Sequence, residues 1–127
     1  MLDARGIKEF HKNGQVEWDI PLHGIPGKRH GLARNYYDTG AIKIERPYNM
    51  GVVEGVEYLY YPDGKIWQEI HYVGGKKNGP VKMFYRDGSP ELEFVCKDDL
   101  RNGTFRRWDE SGKLVYEENI VETASGV

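Results

Sequence analysis

GVEYLYYPDGKIWQEIHYVGGKKN, residues 55–78, reads as one β-hairpin followed by a return turn. Six residues lead into the aromatic pair Tyr60-Tyr61 and make a first strand. Pro62-Asp63-Gly64 is a turn in which Gly64 supplies the positive φ that a three-residue hairpin loop requires. A second strand runs from Ile66 to Val73, and Gly74-Gly75-Lys76-Lys77-Asn78-Gly79 turns the chain back. Side chains alternate along a strand. Pairing Tyr61 with Lys65 sets Tyr60 beside Ile66, so one face is expected to hold Val56, Tyr58, Tyr60, Ile66, Gln68, Ile70 and Tyr72. The opposite, more polar face then holds Glu57, Lys65, Glu69 and His71.

Outward from this stretch the pattern recurs. Gly31, Gly55, Gly79 and Gly103 stand 24 residues apart, and so do Gly40, Gly64, Gly88 and Gly112. Two glycine ladders in one register mark an internal repeat. A diverged earlier copy precedes them, in which Glu9-Phe10-His11-Lys12-Asn13-Gly14 aligns with Leu59 to Gly64. It has two extra residues before Gly31 and Arg5 in the first glycine's place. The units are expected at about 5–30, 31–54, 55–78, 79–102 and 103–122, with a frayed tail at 123–127, all within one domain spanning 1–127. The predicted fold is all-β: an elongated, twisted antiparallel β-meander of about five hairpins. Such a sheet has no helix to cover it. It must curl on itself, stack on a partner or leave an aromatic groove open.

The pattern of Gly, an aromatic pair, Asn/Asp-Gly, an apolar residue, Glu and a further aromatic resembles the MORN-type repeat in its bacterial variant class. The resemblance spans about residues 5 to 120. It implies a non-catalytic repeat protein. Small proteins of this kind are often assigned as antitoxins or immunity proteins, the YwqK-like family, while others are scaffolds or lipid-associated. The chain departs from the pattern at Asp109, in place of the second aromatic, and at Cys96, in place of the late Tyr. Pro21 and Pro26 in the first copy and Pro80 and Pro90 in the fourth are expected to make the strands irregular there.

Composition narrows the function. The 127 residues carry 18 basic and 20 acidic side chains for a net charge of −2, intermixed, so no basic stripe for nucleic acid or anionic lipid stands out. No apolar run approaches a membrane span, the first residues lack the apolar core of a signal peptide, and Cys96 has no disulfide partner within the chain. The expected location is the cytoplasm. His11, His23, His30 and His71 lack the spacing of a metal pair. No phosphate loop opens a helix. No cofactor, metal or catalytic group is expected.

Two periodic rows remain as candidates for partner binding. Glu45, Glu69, Glu93 and Glu117 recur on the polar face. A periodic row lacks the single asymmetric constellation that catalysis needs, which places a carboxylate-dependent hydrolase last. Such carboxylates either pair with neighbouring Lys, Arg or backbone amides or form an acidic ribbon for a basic partner. The aromatic ladder Tyr36, Tyr60, Phe84 and Trp108 either stacks between repeats or anchors a partner. The leading expectation is an antitoxin or immunity protein that binds a cognate toxin. A structural scaffold or membrane-proximal assembly module is the alternative.

Overall fold

A computed structural model describes residues 5–24 and 27–123, and the side chains from residue 6 onward. The described chain forms twelve strands: β1 (Arg5–Phe10), β2 (Val16–His23), β3 (Lys28–Arg29), β4 (Gly31–Tyr36), β5 (Ile42–Asn49), β6 (Val52–Val53), β7 (Gly55–Tyr60), β8 (Ile66–Val73), β9 (Lys76–Phe84), β10 (Pro90–Lys97), β11 (Leu100–Trp108) and β12 (Leu114–Val121). All join one open antiparallel sheet in the order β1-β2-β4-β5-β7-β8-β9-β10-β11-β12, with β3 on β2 and β6 on β5. The expected all-β meander is what forms, and its ends do not close on each other. The sheet therefore does not curl closed on itself.

Both glycine ladders serve backbone geometry. Gly40, Gly64, Gly88 and Gly112 have φ between 90° and 92°, and Gly14 of the first copy has 87°. Each closes the same loop: Gly64 N–H donates to Tyr61 O, and Tyr61 N–H to Lys65 O. The return turns are tighter than the sequence suggests. Two consecutive left-handed residues make the three return turns that are fully described, Met50-Gly51, Gly74-Gly75 and Asp98-Asp99, the signature of a two-residue type I′ hairpin turn. Residues 76–79 are therefore strand, the start of β9. Residues 25 and 26 of the first copy, including Pro26, lie outside the described residues, as does the tail 124–127.

The face assignment is corrected by a bulge. In every hairpin the register slips by one just after the loop: Tyr60 faces Ile66 but Leu59 faces Gln68, leaving Trp67 extra. Glu17, Lys43, Glu91 and Val115 are skipped in the same way. An inserted residue shifts all that follows to the other face and tightens the local twist. The second-strand residues Gln68, Ile70 and Tyr72 consequently share a face with Glu57 and Leu59, while Glu69 and His71 share one with Val56, Tyr58 and Tyr60.

The first of these faces carries the core. Ile70, Val81 and Cys96 are buried there, with Leu59, Tyr72 and Phe94 packed around them. Phe94 stacks on Phe105 at 5.9 Å between ring centres, and Phe105 meets Tyr116 edge-on at 5.8 Å. Ile20 and Ala33 are buried at the other end of the sheet. Between the two apolar stretches lies an ion pair, Arg46 with the buried Glu57, and Arg46 also lies 5.7 Å from the Trp18 ring centre.

The prolines disrupt less than expected. Pro21 lies within a continuous β2, paired with Gly6. Pro80 lies within β9, opposite Val95, and Pro90 opens β10. The register jump beside Pro80, from Ile70↔Val81 to Tyr72↔Lys77, has a counterpart in β10 and β11 between Glu93↔Arg106 and Cys96↔Arg101, where no proline stands. The pairing between successive units breaks at this level in each described junction, so Pro80 enters at a point already irregular.

Candidate functional site

Because of the bulges, the two candidate rows share one face. Across the ten long strands runs a line of register partners: Lys8, Asp19, Arg34, Glu45, Tyr58, Glu69, Lys82, Glu93, Arg106 and Glu117. Two residues along the first strand of each unit stand the aromatic rungs Tyr36, Tyr60, Phe84 and Trp108, all half-buried. Tyr60 ties the rows together by donating its hydroxyl to Glu45 Oε1 at 2.5 Å. Burial and the adjacent Glu45 carboxylate raise the Tyr60 phenol well above the ordinary tyrosine range.

The carboxylates are mostly engaged within the sheet. Arg34 donates to Glu45 at 3.1 Å, Arg106 to Glu117 at 2.7 Å, and His71 Nε2 lies 3.0 Å from Glu69 Oε2. Glu93 lies in register between Lys82 and Arg106. Such half-exposed pairs contribute about 0.2–1 kcal/mol each and chiefly hold the row in order. The aromatic rungs are neither core nor free. Tyr58 and Tyr60 stand 6.3 Å apart at 31°, and no second layer covers this face among the described residues.

A further periodic device escapes a reading of strand alternation. The second residue of each aromatic pair reaches past its own hairpin to the next unit. Tyr37 donates to Tyr60 O at 2.7 Å, Tyr61 to Phe84 O at 2.5 Å and Tyr85 to Trp108 O at 2.7 Å. In the first copy His11 Nε2 meets Tyr36 O at 2.7 Å. Asp109, the residue that departs from the pattern, turns inward instead and accepts from Ser111 N–H, Ser111 Oγ and Lys113 N–H. The 24-residue spacing of Tyr37, Tyr61 and Tyr85 was visible in the sequence. Their bonding to the neighbouring unit was not.

These inter-unit bonds, the paired glycine turns and the recurring Glu define the repeat, and comparison with known families places it. Residues 29–50, 53–73 and 101–121 match the MORN repeat variant. The chain belongs to this family. The intervening unit, β9 with β10, lies outside the matched residues but keeps the same turn, bulge and phenol-to-carbonyl bond despite Pro80, Pro90 and Cys96. No curated protein matches the chain. MORN repeats typically bind proteins and are generally non-catalytic. Among the described residues no three His, Cys, Asp or Glu side chains converge as a metal site would need, and no helix is long and apolar enough to cross a membrane. Cys96 is buried, and that burial raises its thiol above the ordinary range, away from the thiolate form that reacts.

Proposed function

We propose that this MORN repeat protein binds a cytoplasmic protein partner on the face that bears Tyr36, Tyr60, Phe84, Trp108 and the row Glu45, Glu69, Glu93 and Glu117, and that the partner is a toxin which the chain neutralises by stoichiometric cover. The observation that carries the binding surface is the union of both rows on one uncovered face. Aromatic side chains with a polar tip are the usual anchors of interfaces, and flanking charges orient the encounter. The toxin reading rests on the resemblance to small antitoxin and immunity proteins.

The test is capture of the partner from the source cell with the 127-residue chain, followed by co-expression of that partner. Co-expressed chain should relieve growth arrest, and Tyr60→Ala combined with Glu69→Lys should abolish both capture and rescue while the far-ultraviolet dichroism stays β. A captured partner that is harmless on expression refutes the toxin reading. A folded double variant that binds at full strength moves the interface to the other face or to the loops.

A further inference from the structure

The charge row on the ladder face alternates base and acid at every strand but one. Arg34, Lys82 and Arg106 occupy the first-strand position in their units, and each lies in register beside carboxylates on its neighbouring strands. In the third unit that position is Tyr58, so Glu45 and Glu69 flank a neutral ring. Register partners on adjacent strands lie roughly 5 Å apart, which sets these two carboxylates on opposite sides of Tyr58. Tyr60 stands beside it as a second ring.

Elsewhere the chain lays its own cations on aromatic rings: Arg86 lies 5.2 Å from the Tyr61 ring centre, Lys43 5.5 Å from Tyr37, and Arg29 5.6 Å from Tyr48. Among the described residues none lies over Tyr58 or Tyr60. We propose that a protein partner fills this gap with an arginine, its guanidinium on Tyr58 and its N–H groups directed at Glu45 and Glu69. A guanidinium suits the place because it is planar, stacks on aromatic faces and donates from both edges at once. The inference rests on the protein-binding reading above and names the chemistry of the contact.

The experiment titrates isotope-labelled chain with a hexa-arginine peptide, with hexa-glutamate as control. Amide shift changes should centre on Glu45, Tyr58, Tyr60 and Glu69 with hexa-arginine only. Tyr58→Lys restores the alternation with the residue found at Lys82. It should keep the fold and weaken peptide binding at least tenfold. Glu69→Gln, which retains shape and removes one charge, should weaken it severalfold. Shift changes scattered over the acidic turns, or equal binding by folded Tyr58→Lys, would overturn the proposal. So would a salt-sensitive self-association of the chain, measured by sedimentation, that Tyr58→Lys abolishes, since the occupant would then be a second copy. A captured partner that binds wild type and Tyr58→Lys alike defeats this inference and leaves protein binding standing. Failure to capture any partner, with peptide shifts centred on Tyr58, defeats the broader reading and supports the arginine site, whereas failure of both overturns this inference as well.

Discussion

Replacing Tyr61 by Phe removes one oxygen and nothing else from the bond that ties the third unit to the fourth. Its hydroxyl donates to Phe84 O at 2.5 Å from a half-buried position, and the phenylalanine ring can keep the contact with Trp67, whose ring centre is 6.0 Å away. A net hydrogen bond of this kind contributes about 1 kcal/mol. For a chain of 127 residues that corresponds to a fall in Tm of about 4 °C. The equivalent bonds of Tyr37 and Tyr85 join different units, so the triple Phe variant should lose about 3 kcal/mol, with the losses adding as they do for separate sites. Tyr116→Phe is the control, because its hydroxyl bonds Glu118 on the exposed β12 and spans no two units. Urea titration with a common m-value reads all three variants. If Tyr61→Phe matches wild type to within about 0.3 kcal/mol, outside the usual contribution of such a bond, the inter-unit bonds do not hold the array together.

Glu57→Ala removes the only carboxylate bonded to Arg46 among the described residues, leaving it Tyr48 and the Trp18 ring, and should cost about 3 kcal/mol, the lower end for a buried pair because Arg46 keeps some water contact. Arg46→Ile with Glu57→Val installs the apolar pairing of Ile70 and Val81 and should recover that loss in the same urea titration. Gly55 has φ of 110°, and a Cβ there would lie 3.3 Å from Pro47 Cγ, whereas a Cβ at Gly64, with φ of 92°, meets nothing within 4 Å. Gly55→Ala should therefore lower Tm more than Gly64→Ala, since both carry the left-handed strain and only one adds a clash. Hydrogen bonds from Ser111 hold the Asp109 carboxyl below the usual range. Its contribution is present above the unfolded value near 4 and is lost as pH falls through the lower folded value. Wild type and Asp109→Ala should thus differ at pH 7 and converge toward pH 2 in thermal melts. Hydrogen exchange should be slowest between about Leu32 and Phe105, because opening concentrates at the ends of an array.

The hairpins, their 24-residue period and their loops were legible in the sequence because each is a local matter. Gly64 is needed where φ is positive, and strand alternation shows within eight residues. The identity of the two rows, Tyr36 to Trp108 and Glu45 to Glu117, was legible for the same reason. Their placement on one face was not. It turns on the extra residues Glu17, Lys43, Trp67, Glu91 and Val115, which range from acidic to basic to apolar and so carry no common signal. A bulge is a mismatch between two strands, and a strand read alone carries no mark of it. The phenol bonds from Tyr37, Tyr61 and Tyr85 likewise join groups 23 residues apart, which only the pairing of successive hairpins brings within reach. The sequence by itself determined the repeat and its hairpin loops, but not the length of its return turns. The tertiary register decided which side chains meet, because one inserted residue per hairpin inverts every position after it.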